Sequence, residues 1–494
     1  MKSELEKLIS KVKKYNPNAD FSLIRKAFEF AQIAHFGQKR KSGEDFITHP
    51  LATAMALADW RLDSVSIAAA LLHDTVEEGG ASISEIKKEF GNEIARLVDG
   101  VSITGRIKLR GSTDEEFVEN LRKMFLAMAK DLRVVLIRLA DRLHNMQTLD
   151  ALPKSKQKRI AKETLEVYAP LAERLGIGEL KGQLEDLAFP YLYPKEYKWL
   201  LDYSAPYYAR AKKDVEEARE ELKKALSKEG ISGEIHGRAK HLYSLYRKLL
   251  RPEINKDITK IHDIVALRIL VKTVKDCYAA LGVIHKVFKP VPFLGVSDFI
   301  AQPKPNGYRS LHTRVFGPRG RIMEIQIRTY QMHEEAEYGI AAHWYMALLK
   351  SKGKLTSEKI DKGRFFVPSE KLAWVKQLAV WQKTVLDSHE FLNALKFDAL
   401  SHRIFVFSPK GDVYDLPLGA TPVDFAYAVH TELGDRCQQA KVNGRLVSLD
   451  WKLKSGDVVE IIPSKKPKRP SLDWLKFVVT TVAKKKIAKH YKQD

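Results

Sequence analysis

Two cysteines in 494 residues, Cys277 and Cys437, are too few for a disulfide framework or a cysteine-built zinc site. Long apolar runs are missing too: no stretch is long enough to span a bilayer. The start, Met1-Lys2-Ser3-Glu4-Leu5-Glu6, is charged where a secretory leader would be apolar. These absences exclude the cysteine-rich secreted and membrane-spanning classes and predict a cytoplasmic protein. Acidic residues are outnumbered, 62 Asp+Glu against 84 Lys+Arg, for a formal net charge of +22. Such an excess favours phosphate-rich partners, although charge alone does not separate nucleotides from RNA, or either from a merely soluble surface. Apolar side chains, at 45%, suffice for roughly three or four domains with cores of their own.

The stretch Leu71-Leu72-His73-Asp74-Thr75-Val76-Glu77-Glu78 closes an apolar run that begins at Ser64. It delivers an adjacent His-Asp pair followed by two carboxylates. On a continuing helix His73 and Glu77, four apart, and Asp74 and Glu77, three apart, share a face. Imidazole beside carboxylate suits a divalent metal of intermediate hardness. Alone, a His-Asp pair at a helix end is a cap or a satisfied polar pair, so the metal reading needs further ligands. His49 supplies one, just before Pro50 at the start of the periodic run to Trp60. Asp141 supplies another at the end of the apolar part of Val134 to Met146, where a carboxylate is expensive to bury unless paired or metal-bound. Asn145 and Thr148 extend its face. His49, His73, Asp74 and Asp141 then offer two imidazoles and two carboxylates from three helical segments, with coordination left open for water and substrate.

Residues 1 to about 195 read as successive helices. Asp20 is placed to cap the one that leads to His35, and Val101 to Asp114 interrupts the series as a mobile loop. The aromatic, proline-rich Leu187 to Pro194 predicts a packed junction, and a charged helix spans Tyr208 to Lys228. Past Gly230, β-rich segments appear among helices. Arg238 and Lys240 fall at a strand edge and Ser244 and Lys248 on the helix that follows, four groups suited to a triphosphate. Asp263 opens the β-branched run Ile264 to Val271. In Arg321 to Thr329, alternation puts Glu324, Gln326 and Arg328 on one face and Ile325 and Ile327 on the other. Paired with Asp263, that polar face could bind Mg²⁺ and a nucleotide; solvent exposure would explain it equally. Between these segments, Pro303-Lys304-Pro305-Asn306-Gly307-Tyr308-Arg309-Ser310-Leu311-His312-Thr313 sets a turn beside a tyrosine that can stack a base. Lys350 to Leu395 reads as linker and connecting helices. Arg403 to Ile462 is a small α+β unit, with strands flanking Ser408 to Asp412 and a hairpin at Asn443-Gly444. Its helix is capped by Thr421, with Pro422 in the first turn and Gly434 past the end.

The order His, His-Asp, Asp resembles the HD superfamily of metal-dependent phosphohydrolases. With Ala34 to Gly43 and Arg138-Leu139-Ala140-Asp141-Arg142-Leu143-His144-Asn145-Met146, and the strings behind them, residues 15 to 480 resemble the long RelA/SpoT homologues, which make and degrade the alarmones ppGpp and pppGpp. The resemblance implies a multidomain chain: an all-α HD-type (p)ppGpp hydrolase domain over 1–195 and an α+β, nucleotidyltransferase-like synthetase domain over 200–345. A linker with connecting helices over 346–400, a β-grasp TGS domain over 401–464 and a basic helical tail over 465–494 follow. For hydrolysis it implies Mn²⁺ on His49, His73, Asp74 and Asp141, activating water against the 3′-diphosphate. Glu77 and Glu78 would manage protons, and Arg40, Lys41, Ser42, Asn145 and Thr148 would hold the nucleotide. For synthesis it implies Asp263 and Glu324 on Mg²⁺, activating the 3′-hydroxyl of GDP or GTP. Arg238, Lys240, Ser244 and Lys248 would hold ATP, Lys304, Asn306 and His312 the acceptor, and Tyr308 would stack on guanine. His430 matches the family histidine near the tRNA end, which implies uncharged tRNA and the ribosome as partners.

Three departures stand out. Glu78 replaces the usual Asp, and Arg251 to Lys260 is slightly long. After Val291-Pro292 the chain reads Phe293-Leu294-Gly295-Val296-Ser297-Asp298 where the family has Gly-Arg-Phe-Lys-Asp, so both cations are gone. In-line phosphoryl chemistry relies on positioned positive charge. Two rival expectations follow: a hydrolase with a degenerate, regulatory synthetase domain, and a non-enzymatic ribosome- or tRNA-binding regulator. The helical, zinc-binding and ACT modules that follow the tail in the family are not in this sequence.

Overall fold

The computed structural model describes residues 2–102, 124–342 and 403–491, apart from positions 125, 129, 293, 305, 455 and 465–468. The expected linker helices, and most of the expected loop after Val101, lie outside the described residues. Two compact units divide the chain, one holding the described residues up to 342 and the other those from 403.

The first unit begins all-helical. Helix α1 (Lys2–Tyr15) is followed by α2 (Phe21–Ala34), capped by the Asp20 carboxylate on the Leu23 amide. α2 buries Ile24, Ala27, Phe28 and Ala31, the i, i+3, i+4, i+7 stripe of a core-facing helix. α3 (Thr48–Asp59), α4 (Ser64–Leu72), α5 (Ile83–Ser102) and α6 (Arg133–Gln147) complete the bundle. Two boundaries differ from expectation. α3 starts at Thr48, so His49 and Pro50 both lie in its first turn, where proline's missing N–H leaves no bond unmade. α4 ends at Leu72, and the next six residues form turns. There the His73 ring donates to the Ala70 carbonyl and the Thr75 hydroxyl to the Leu72 carbonyl, taking up acceptors a continuing helix would use. The helical spacing expected between His73, Asp74 and Glu77 is therefore not realised.

Helices α7 (Lys154–Glu163), α8 (Ala169–Arg174), α9 (Gly178–Leu192) and α10 (Pro194–Lys228) lead out of the bundle. α10 begins fourteen residues before the expected Tyr208, because Pro194 sits in its first turn and opens it. The aromatic junction is packed as expected, with Phe189 against Tyr193, Tyr197, Tyr243 and Tyr246 at ring-centroid distances of 5.0 to 6.3 Å.

A mixed five-stranded sheet follows, in the order β1-β2-β5-β4-β3. Its strands are β1 (Gly233–Ala239), β2 (Val265–Val271), β3 (Ser297–Asp298), β4 (Leu311–Phe316) and β5 (Ile322–Thr329). Helix α11 (Leu242–Leu249) follows β1, α12 (Val274–Val287) follows β2, and α13 (Tyr330–Tyr338) follows β5. β2 and β5 are parallel neighbours, and every other pair is antiparallel. One sheet face is the core, where Leu267, Ile269, Ile325 and Ile327 meet Ala218 and Leu222 of α10 and Ala280 and Ile284 of α12. The period of two then places Glu324, Gln326 and Arg328 on the opposite face. That face is not solvated: Glu324 is 7% exposed, Gln326 8% and Arg328 1%.

In the second unit, strands β6 (Arg403–Phe407) and β7 (Val413–Pro417) form one hairpin. β8 (Cys437–Val442), β9 (Arg445–Val447) and β10 (Val459–Pro463) form a three-stranded sheet. Asn443 and Gly444 make the β8–β9 turn, both at positive φ. The capped helix α14 (Pro422–Val429) ends before the expected Gly434, which lies instead inside a short helix α15 (Thr431–Asp435). Tyr427 explains the position, since a Cβ on Gly434 would come within 2.3 Å of its ring. The basic tail packs here through α16 (Thr481–Lys489): Trp474, Val478, Ala483 and Ile487 share a core with Val423, Ala426 and Tyr427. The buried Asp424 carboxylate joins the two, accepting from the amides of Val479 and Thr480. No described helix is long and apolar enough to cross a membrane.

Candidate functional site

Three elements of the helical bundle point their polar residues at one place. The first turn of α3 brings His49, the turn after α4 brings His73 and Asp74, and α6 brings Asp141. His49, His73 and Asp141 are buried, with one ligand-type atom of each within 4.8 Å of the others. His49 Nε2 lies 3.2 Å from Asp141 Oδ1 and 3.4 Å from Asp74 Oδ2, and His73 Nε2 lies 3.2 Å from Asp74 Oδ1. The His73 ring donates its Nδ1–H to a backbone carbonyl, so in the neutral ring a metal requires, its Nε2 carries a lone pair. That buried atom has no hydrogen-bond partner. A lone pair facing carboxylate oxygens across such distances is repulsive unless a cation lies among them, so these residues fit a divalent metal ion. Burial alone would push the Asp141 carboxyl up, but its surroundings, with Arg138 as the cationic partner, outweigh it and keep it ionised.

Around this cluster the expected nucleotide-binding residues separate into two groups. Arg40 is half-buried and reaches α6, donating to His144 Nδ1 at 3.1 Å, Asn145 Oδ1 at 3.2 Å and Thr148 Oγ1 at 3.1 Å. Asn145 also donates to Asp141. Lys41 and Ser42, by contrast, are exposed in the loop. That loop is tied down by Gln38, which bonds the His35 ring and the Glu78 carbonyl, each at 2.8 Å. Glu77 and Glu78 stand exposed at the rim. Surrounding protein nevertheless pushes the Glu77 carboxyl up, against the pull of Arg138.

The second cluster lies on the polar face of the sheet. Asp263, just ahead of β2, receives Lys240 at 2.6 Å and Lys248 at 2.8 Å. Burial opposes its charge, but the two ammonium groups outweigh it and hold the carboxyl down to about 2. Glu324 is likewise held at about 2 against burial, with His312 the main support. Its other neighbours are Gln326 at 3.2 Å and Arg314 at 3.5 Å. His312 Nε2 meets the Tyr308 hydroxyl at 2.8 Å, and Lys304 lies over the Tyr308 ring at 5.2 Å. Asn306 is exposed, its side chain closing the turn on the Tyr308 amide. The four expected triphosphate groups do not form one cradle. Lys240 and Lys248 converge on Asp263, whereas Arg238 faces Glu179 at 3.8 Å and Ser244 bonds Glu185 at 3.3 Å.

Several contributing residues escaped the sequence reading. His144 bonds both Arg40 and His49; it was visible three residues after Asp141, on the same helix face. Arg268, a lone cation in an apolar strand, was a signal of the kind used for Asp141; it pairs with Glu337 of α13 at 2.9 Å. Glu179, Glu185 and Asp186 of α9 carried no signal, since nothing local links them to β1 or α11. His430 caps α15 through Nδ1 on the Glu432 amide at 3.3 Å and is exposed.

Three family models match the chain: an HD domain over residues 27–178, the region found in RelA / SpoT proteins over 237–348, and a TGS domain over 404–463. A GTP pyrophosphokinase of Myxococcus xanthus is 46% identical over 485 residues, covering 98% of this chain and 62% of that protein. A bifunctional (p)ppGpp synthase/hydrolase RelA of Mycobacterium tuberculosis is 46% identical over 495 residues, covering 99% and 65%. A guanosine-3′,5′-bis(diphosphate) 3′-pyrophosphohydrolase of Aquifex aeolicus is 44% identical over 499 residues, covering 100% and 67%. The chain spans 58% to 67% of the length of such curated relatives. With all three models in order and full-length identity at this level, the chain belongs to the RelA/SpoT family.

Proposed function

We propose that the chain is a bifunctional alarmone enzyme of the cytoplasm. One site hydrolyses (p)ppGpp at its 3′-diphosphate to GDP or GTP and pyrophosphate; the other transfers pyrophosphate from ATP to the 3′-hydroxyl of GDP or GTP. The observation that carries the reading is the cluster of buried His49, His73 and Asp141 with half-buried Asp74, whose lone pairs face one another with the His73 Nε2 unpartnered. These four residues would hold Mn²⁺, and Asp263 with Glu324 would hold Mg²⁺. When bound, such ions acidify water and neutralise phosphate charge. The chain's own contributions are distinct. Arg40, Lys41, Ser42, Asn145 and Thr148 orient the nucleotide at the hydrolytic site, while Glu77 and Glu78 pass protons at its rim. At the synthetic site Tyr308 stacks the guanine, and Lys304, Asn306 and His312 hold the acceptor. Arg238, Lys240, Ser244 and Lys248 take ATP, and Asp263 and Glu324 act on the 3′-hydroxyl. The working domains are residues 1–195, 200–345 and 401–464, with 346–400 as connector and 465–494 as tail; the third would meet uncharged tRNA or the ribosome, with His430 as a contact.

A second reading, a hydrolase whose synthetase domain only senses nucleotides, has two observations in its favour. The segment 294–298 carries no cation, and Arg238 and Ser244 are engaged by carboxylates of α9. Nucleotide chromatography separates the readings: ppGpp is incubated with Mn²⁺, and ATP plus GDP with Mg²⁺. Products in both reactions are expected. GDP from the first and nothing from the second would leave only the hydrolase, and no GDP from the first would sink the metal reading.

A further inference from the structure

We infer that His144 is a positioning residue that fixes the tautomer of His49 and couples it to the Arg40 loop. The inference rests on the metal-dependent reading above and extends it to a residue outside the four-ligand set. His49 Nδ1 and His144 Nδ1 lie 2.8 Å apart, and Arg40 Nη1 lies 3.1 Å from the same His144 nitrogen. Guanidinium nitrogens only donate, so His144 Nδ1 must accept. Its proton then sits on Nε2, and the remaining partner, His49 Nδ1, must be the donor. A neutral imidazole that donates from Nδ1 presents a lone pair at Nε2. That atom of His49 is the one facing Asp74 and Asp141 at 3.4 and 3.2 Å.

The two imidazoles of the cluster are thus set by different devices. His73 is fixed by the Ala70 carbonyl, 2.8 Å from its Nδ1, a partner no side-chain substitution removes. His49 depends on a side chain, and that side chain is held in turn by Arg40. The rings of His49 and His144 lie 5.0 Å apart and are inclined at 39°, so the contact is an in-plane approach of nitrogens and not a stack. Outer partners of this kind orient metal-ligating histidines and raise their basicity. Here the partner also receives the first cation of the loop assigned to the nucleotide. Withdrawal of Arg40 toward a substrate phosphate would leave His144 to His49 alone, so substrate arrival and the basicity of a ligand share one atom.

The test uses the whole chain. In protein loaded with diamagnetic Zn²⁺ and carrying ¹⁵N-labelled histidine, ring-nitrogen shifts read each tautomer directly. His49 should carry its proton on Nδ1 and His144 on Nε2; the reverse for either ring overturns the inference. Mn²⁺ affinity is then measured for His144→Asn, whose Oδ1 stands close to the place of Nδ1 as an acceptor, and for His144→Ala. The Asn variant should stay within a few-fold of the parent, and the Ala variant should lose roughly 10–100-fold. Equal losses in both variants, or none in either, refute the positioning role, and the Asn variant keeps the test valid should the Ala variant not fold. If the parent chain takes up neither ion, the metal reading fails; uptake with either ring in the reverse tautomer overturns the inference alone.

Discussion

Asp141 shows how much one side chain carries. It closes the apolar part of α6 and is 8% exposed, yet it receives Arg138 at 3.1 Å and Asn145, and its Oδ1 lies 3.2 Å from His49 Nε2. A carboxylate so placed stays ionised only while its partners remain. Asp141→Asn should abolish ppGpp hydrolysis and cut Mn²⁺ affinity by more than the roughly 10–100-fold typical of an outer partner. Synthesis from ATP and GDP should continue in the same preparation, and undiminished Mn²⁺ binding, read by electron paramagnetic resonance, would count against ligation. The residue was legible in the sequence for the same reason that it matters: a lone acid in an apolar run has few inexpensive explanations. His49 and His73 were legible likewise. What could not be read were contacts made across space. That Arg238 faces Glu179 depends on how α9 lies against β1, which no local pattern encodes.

At the scale of elements, α9 is the piece whose role sequence reasoning passed over. Its Asp186 accepts from His241 Nδ1 at 2.8 Å and from the Tyr243 amide at 2.8 Å, and Glu179 stands 3.5 Å from His241 Nε2. Burial alone would lower the His241 pKa, but the two carboxylates outweigh it and raise it to about 9. The sign follows from linkage: a folded value above the ordinary 6.5 gives stability that is complete below pH 6.5 and fades as pH rises through 9. The melting temperature of the parent should therefore exceed that of His241→Asn by a margin that shrinks between pH 6.5 and 9; a constant margin would refute the ion bridge. Gly182 permits this approach, since a Cβ there would lie 2.1 Å from the His241 ring. Gly182→Ala should displace the ring and cost about 1–3 kcal/mol, removing the same pH-dependent margin. Element types were legible from periodicity and caps, while ends were not: α4 stops early because side chains claim its last carbonyls, and α10 starts early because proline opens it.

For the first unit as a whole, the question is what makes a helical bundle and a sheet domain behave as one body. α13 is one connection, beside α9. Its Glu334 pairs with Arg61, which joins α3 to α4 and so lies between the segments that bear His49 and His73. The Arg61 guanidinium also covers the Tyr338 ring at 5.6 Å. From the same helix, Glu335 holds Arg309 at 2.9 Å, next to Tyr308, and Glu337 holds Arg268 and Arg328, each at 2.9 Å, on the polar face of the sheet. The Ile340 amide bonds the Leu175 carbonyl at 2.9 Å, and Gly339, at a φ of 54°, is pressed so close to Leu175 and Gly176 that no side chain fits there. One short helix thus touches the frame of both sites. A double-mutant cycle over Arg61→Ala and Glu334→Ala should return a coupling on the order of 1 kcal/mol in the unfolding of this unit. If α13 transmits position as well as stability, either single variant should also change the rates of both ppGpp hydrolysis and alarmone synthesis, although neither residue is itself a member of either cluster. A loss of stability with both rates intact would make α13 a strut and nothing more.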